Sequence, residues 1–329
     1  MLEVKNLKVY YRSEDGIIKA VDDVSFNVKD GETLGLVGES GCGKSTLGQA
    51  IMKILPLNAQ LYGEIILNGQ NITKMNEKQM REIRGRDITM IFQDPMTSLN
   101  PIMKVKDLFV EIVRSHFPDI SKEKAIEMGG SVLKDVGIDP SRMNQYTFQF
   151  SGGMRQRVMI ALGLVLKPSF VISDEPTTSL DVIVQAQIIE LMNKLRDEYQ
   201  MSMLLITHDL GVVAQLADKI GVMYAGHLVE ISSKENIYYN PKHPYTKALL
   251  DSIPNTDIND KDLKYIPGSP PDLGKPPKGC RFAPRCEYAM DICHEQEPKS
   301  FLIEGSEVKC WLYENSQYLN HVNVGGIND

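Results

Sequence analysis

Eight residues limit most strongly what this chain can fold into. Gly38-Glu39-Ser40-Gly41-Cys42-Gly43-Lys44-Ser45 fits G-x-x-x-x-G-K-S/T, between the apolar run Thr33–Val37 and the helical run that opens at Thr46. Strand, glycine-rich loop and helix in that order make a phosphate-binding unit. Glycines let backbone N–H groups curl around phosphate oxygens without a Cβ in the way. The helix N-terminus adds a positive dipole. Lys44 is then placed for the β- and γ-phosphates and the Ser45 hydroxyl for Mg²⁺. ATP and Mg²⁺ are therefore the expected ligands.

A second element fits the first. Phe170-Val171-Ile172-Ser173 reads as a buried strand, and it ends in Asp174-Glu175. Asp174 at the strand end is placed to hold Mg²⁺. Glu175, one residue on, points elsewhere and is placed to polarise an attacking water.

The first 230 residues alternate β-branched runs with helical patterns, which predicts a doubly wound α/β architecture. Strands are expected at Thr33–Val37, Ile65–Asn68, Ile88–Phe92, Phe170–Ser173, Met203–Thr207 and Ile220–Tyr224. The run EIILNGQNI alternates and carries an Asn-Gly turn signal, so the N-terminal strands are expected to be antiparallel. Between Pro95 and Gln149 the pattern turns helical, with Val105, Leu108, Phe109, Ile112 and Val113 at helix spacing. A further helix is expected from about Val184 to Tyr199, with Ile188, Leu191, Met192 and Leu195 on one stripe. The proline- and glycine-rich run IPGSPPDLGKPPKG reads as extended linker, and the tail from Asn315 reads as frayed.

Several function classes are disfavoured. The net charge of −7 argues against a nucleic-acid partner. No run of 18 or more uncharged apolar residues offers a membrane span, and the N-terminus lacks a signal-peptide layout. A cytoplasmic location is expected. In that setting Cys280, Cys286, Cys293 and Cys310, spaced C-x5-C-x6-C-x16-C, read as a metal site before they read as disulfides. Four thiolates suit a [4Fe–4S] cluster or zinc, and the absence of C-x2-C knuckles leans toward the cluster.

Phe150-Ser151-Gly152-Gly153-Met154 resembles the LSGGQ signature of the ATP-binding-cassette ATPases, with Phe for Leu and Met for Gln. Other elements of that family stand in order. Gln93 matches the glutamine loop, which senses Mg²⁺ or the attacking water and touches the membrane subunit. Ser179-Leu180-Asp181 matches the loop at the dimer seam, and His208 matches the switch histidine near the γ-phosphate. Tyr11 matches the aromatic that stacks on adenine, with Tyr10 as the alternative. SGGMRQR, Asn240–Thr246 (NPKHPYT) and the cysteine region resemble the ATPase subunits of bacterial oligopeptide and dipeptide importers, which carry an iron–sulfur centre there.

The resemblance implies a P-loop NTPase core, mostly parallel sheet with N-terminal antiparallel strands, from residues 1–94 and 156–250. It implies an inserted helical signature subdomain at 95–155, and a linker with a small metal-binding C-terminal region at 251–329. It implies a composite site in which Ser151, Gly152 and Gly153 reach the nucleotide of a second ATPase subunit, identical or paralogous. The partners implied are integral membrane permease subunits at the cytoplasmic face and, indirectly, an extracytoplasmic solute-binding protein. Import of nickel or another small solute, or a soluble role outside transport, is the alternative. The cysteine region, distant in sequence from the phosphate loop, is expected to be structural and to leave ATP binding largely alone.

Overall fold

The computed structural model describes residues 1–14, 16–178, 180–253 and 265–314. Strand β1 (Leu2–Ser13) pairs antiparallel with β2 (Gly16–Val28) and, on its other edge, with β4 (Ala59–Leu67). Leu2, Val4, Leu7 and Val9 of β1 face inward with Val21, Val24, Phe26 and Val28 of β2. A short strand β5 (Gln70–Asn71) folds back on β4. Asn68 and Gly69 between them have φ of 50° and 79°. Two left-handed residues are what a tight hairpin with the right twist requires, and Asn-Gly supplies them at low cost. The expected antiparallel N-terminal strands are there.

The main sheet has a parallel half: β6 (Ile88–Ile91), β7 (Phe170–Asp174), β8 (Ser202–Ile206), β3 (Thr33–Val37) and β9 (Lys219–Tyr224), side by side in that order. All residues of β3, β6, β7 and β8 are buried. That explains their continuous apolar character, since helices cover both faces. Helix α1 (Lys44–Ile51) lies tight on this sheet: a Cβ on Gly48 would come within 2.9 Å of Ile206 Cδ1. Helix α2 (Glu77–Ile83) follows the antiparallel sheet, opened by a capping box between Asn76 and Gln79.

The helical run comprises α3 (Pro95–Ser98), α4 (Val105–His116), α5 (Lys122–Asp135) and the start of α6 (Gly152–Leu164). Val105, Phe109 and Val113 form the buried stripe of α4, while Leu108 and Ile112 flank it half-buried. Gly129 of α5 lets that stripe in, because a Cβ there would sit 2.5 Å from Phe109 Cγ. Helix α6 runs unbroken from the signature into the core, so the boundary expected between 155 and 156 falls inside one helix. Helix α7 (Val182–Tyr199) buries Ile188, Leu191, Met192 and Leu195, the stripe read from spacing, and Asp181 caps its N-terminus.

Helix α8 (Leu210–Leu216) is capped by Asp209. Strand β10 (His227–Ser233) turns back antiparallel on β9 and is followed by α9 (Lys234–Tyr239) and α10 (Pro244–Asp251). The cysteine region carries regular structure that was not expected from the sequence. Beyond α11 (Asp291–Glu295), β11 (Ser300–Ile303) and β12 (Ser306–Lys309) form a hairpin, and β12 pairs with β10. The turn residues Glu304 and Gly305 again have positive φ, 48° and 84°. The hairpin thus extends the main sheet. The proline-rich run is also fastened down: the Leu273 carbonyl accepts from the Lys19 amide of β2 at 3.0 Å. The tail expected to fray, and Ser179 of the expected seam loop, lie outside the described residues.

Candidate functional site: a phosphate loop beside two carboxylates

The chain leaves β3 at Val37 and enters α1 at Lys44 through a loop whose glycines have positive φ: Gly38 at 148°, Gly41 at 78° and Gly43 at 105°. Two of these positions also lack room. A Cβ on Gly38 would lie 2.1 Å from the Met223 carbonyl oxygen, and one on Gly43 would lie 2.1 Å from that of Ala20. Only glycine fits at these two positions, and apart from the Glu39 and Cys42 amides, which bond the Tyr245 hydroxyl and the Glu39 carbonyl, the N–H groups of the turn can face a ligand. Ser40 and Gly41 form the exposed tip, while Cys42 is buried and its carbonyl accepts from the Gly226 amide at 2.9 Å. Burial pushes the Cys42 thiol pKa up. The Lys44 ammonium is buried and donates to the carbonyls of Gly38 at 2.7 Å and Glu39 at 3.1 Å.

The Ser45 hydroxyl donates to Asp174 Oδ1 at 3.0 Å, which joins two of the three expected Mg²⁺ residues across two elements, while the third, Gln93, bonds Glu175. Burial, aided by the neighbouring Glu175 charge, pushes the Asp174 carboxyl up to about 6, against the pull of Ser45 and Lys44. Tyr11 stands over the loop exit, its hydroxyl 3.3 Å from Thr46 Oγ1. Tyr10 faces away, bonded to Asp22, so the geometry favours Tyr11 as the nucleotide-facing aromatic.

Glu175 is a hub for three strand-end loops. Gln93 Nε2 donates to its Oε2 at 2.9 Å, and His208 Nδ1 lies 3.2 Å from its Oε1. Thr178 Oγ1 donates to Oε2 at 2.9 Å. Gln93, Glu175 and His208 were legible in the sequence; Thr178 was not, because threonines near turns carry no signal of their own. Glu175 adopts φ 46°, unusual for a residue with a side chain, and its amide donates to the Ile206 carbonyl at 2.7 Å. The carboxylate is therefore aimed by backbone strain. All these residues sit at the carboxyl ends of parallel strands, where open α/β sheets bind ligands.

Ser151 caps α6, with Oγ accepting from the Met154 amide at 3.4 Å. Gly153 packs on α7, where a Cβ would lie 2.5 Å from Val184 Cγ1, and Gly152 lies near Leu180. The signature thus rests on the segment that opens α7.

The ABC transporter family model matches residues 21–178. The oligopeptide transport ATP-binding protein OppD of Bacillus subtilis is 48% identical over 318 residues, 95% of this chain and 88% of that protein. The dipeptide transport ATP-binding protein DppD of the same organism is 47% identical, over 99% of this chain and 98% of that one. This chain belongs to the ABC transporter family. It is an ATPase subunit of that family. Among solved structures, the dimeric post-hydrolysis state of the ATP-binding cassette MJ0796 bound to ADP and Pi matches with a TM-score of 0.64 at 26% identity. That match covers 71% of this chain and 99% of that one.

A second family model, for the C-terminal region of oligopeptide/dipeptide transporters, matches residues 229–293. In this ABC ATPase that region, far from the phosphate loop in sequence, reaches it in space. The Arg285 guanidinium makes a two-pronged ion pair with Glu39, at 2.7 Å and 3.0 Å. The Tyr245 hydroxyl accepts from the Glu39 amide at 2.9 Å. Arg281 bonds Asp22 and the Ala225 carbonyl. Burial works against the Asp22 carboxylate, yet the hydrogen bonds from Tyr10 and Arg281 and the Arg281 charge, with His227 Nε2 3.8 Å away, hold its pKa well below the usual range. Asp22, His227 and Glu297 form, among the described residues, the one trio of potential ligand atoms mutually within 4.8 Å. Arg281 already supplies the positive charge there.

The four C-terminal thiols line one small cavity, with Trp311 and Ala283 in its wall. No three of their sulfurs lie mutually within 4.8 Å. Four zinc–thiolate bonds would hold sulfurs about 3.8 Å apart, from a Zn–S length of about 2.3 Å. The spread is wider than zinc requires.

The burial of Asp174 gives a test. Its folded pKa of about 6 lies above the ordinary 3.8. Its contribution to stability is therefore fullest below about pH 4 and is lost as pH rises through about 6. At neutral pH the ionised group is a cost that a bound cation would offset. Asp174→Asn keeps an acceptor for Ser45 but removes the charge. The nucleotide-free variant should melt no lower than wild type at pH 7.5, while Mg²⁺-dependent hydrolysis falls by about 100-fold or more. Calorimetry and a phosphate-release assay check both halves.

Proposed function

We propose that this ABC ATPase energises uptake of di- or oligopeptides across the cytoplasmic membrane, as one of two cassettes bound to the inner face of permease subunits. The observation that carries the reading is that relatives named for oligopeptide and dipeptide transport align along nearly the whole chain, C-terminal region included. The same observation disfavours nickel or another small solute. An extracytoplasmic binding protein would deliver the peptide. No helix among the described residues is long and apolar enough to cross a membrane. Attachment then falls to an exposed surface, and Met96, Ile102 and Phe148 offer apolar side chains on the helical segment. Arg155 gathers two of them, contacting Met96 Sδ and the Phe148 carbonyl.

In this reading Lys44 and the Gly38–Thr46 loop hold the phosphates, through the amides other than those of Glu39 and Cys42. Ser45 and Asp174 hold Mg²⁺, with Gln93 at its rim, and Tyr11 packs on adenine. Glu175 polarises the attacking water, and His208 stands by the γ-phosphate. Ser151, Gly152 and Gly153, a helix N-terminus rich in free N–H groups, close over the nucleotide of the opposing subunit. Hydrolysis removes that bridge, and the opening of the pair moves the permease. Glu175→Gln keeps the hydrogen bonds but polarises water poorly. The purified variant should bind ATP normally, lose turnover by about 100-fold or more and accumulate as an ATP-bound dimer on gel filtration. Near-wild-type turnover would remove Glu175 from this role.

Cys280, Cys286, Cys293 and Cys310 would hold a [4Fe–4S] cluster. Their softness, their shared cavity and sulfur spacing wider than zinc requires support it. When bound, the cluster supplies a four-point cross-link that fixes the loops carrying the thiols. Protein prepared without oxygen should be brown and contain about four irons per chain. Stoichiometric zinc without iron would overturn this assignment.

A further inference from the structure

Glu39 is held through every polar group it has. Its carboxylate is gripped by the Arg285 fork, its amide donates to the Tyr245 hydroxyl, and its carbonyl accepts from Lys44. Two of these three partners lie more than 200 residues away in sequence, in the C-terminal region. Arg285 is itself locked. Its side chain is 4% exposed, Nε donates to the Pro267 carbonyl at 2.8 Å, and the guanidinium stacks on the Tyr224 ring at 5.7 Å. It closes the Ala283–Arg285 turn, one residue before Cys286.

We propose that Arg285 is a positioning residue for ATP binding, which acts on the nucleotide through Glu39 and makes the phosphate loop depend on the C-terminal region. Two physical effects combine. A loop with three glycines at positive φ has many conformations to lose, and fixing Glu39 removes part of that cost before the nucleotide arrives. The Glu39 carboxylate also adds negative charge to a loop that must receive phosphates, and the paired guanidinium neutralises it. Neither effect touches the water or the leaving phosphate, so the consequence belongs in KM and not in kcat. The inference rests on Gly38–Ser45 as the nucleotide site and needs no metal on the cysteines.

The test uses the full chain, with hydrolysis of MgATP and equilibrium binding of a non-hydrolysable MgATP analogue. Arg285→Ala should raise KM and the analogue Kd by about tenfold with kcat within about twofold of wild type. Adding Glu39→Gln to Arg285→Ala should recover part of the loss, because the unpaired carboxylate is gone. A merely structural role for Arg285 predicts no such recovery. Arg285→Lys, which keeps the charge but not the fork, should fall between wild type and Arg285→Ala, and it serves where Arg285→Ala does not fold. A folded Arg285→Ala protein with wild-type KM and Kd overturns the proposal. So does an unchanged Kd in Arg285→Lys where the alanine variant is insoluble. Wild type and Lys44→Ala measured alongside separate this from failure of the nucleotide site: if Lys44→Ala also binds like wild type, the site assignment is what fails.

Discussion

The close approach of the phosphate loop to neighbouring backbone is the constraint on which the rest of the structure turns. Gly38 lies against the carbonyl of Met223 in β9, and Gly43 against that of Ala20 in β2. The loop is therefore wedged between the parallel sheet and the antiparallel one, and its shape is set by both. Since β9 also pairs with β10, and β10 with β12, the same sheet carries the C-terminal hairpin to the loop's neighbourhood. Fold and site are coupled by packing that leaves no space for a side chain at these two glycines.

Around that fixed loop, environment divides the labour of two adjacent carboxylates. Asp174 is buried at the end of β7, and burial makes its charge costly until a cation offsets it. Glu175, one residue on, turns out through a left-handed backbone and meets Gln93, Thr178 and His208 from three loops. A buried acid and an acid held by a polar network suit the metal binding and water activation proposed for them. The backbone strain at Glu175 is what points successive side chains into different surroundings.

What the sequence disclosed followed the range of the interactions involved. The phosphate loop, the buried strands, the Asn68-Gly69 turn and the α7 stripe are local patterns, and they lie where periodicity and turn chemistry put them. Gln93 and His208 were picked out by resemblance to the family's motifs, each directly after an apolar strand. The Arg285–Glu39 pair spans most of the chain and leaves no periodic trace, so it was invisible. The β11–β12 hairpin was missed because its strands are four residues each, hidden in a segment whose prolines and cysteines suggested irregular chain. The boundary expected between 155 and 156 falls inside α6, because a helix can begin in one layer and end in another.

The central claim is that residues 38–46 form a preorganised nucleotide cradle fastened from the C-terminal region. Amide hydrogen exchange with and without a non-hydrolysable MgATP analogue tests it most directly. Amides of this loop should gain strong protection on binding, and the Ala283–Arg285 turn should gain protection with them, because Glu39 links the two. Bound analogue with unchanged exchange across the loop would contradict the account.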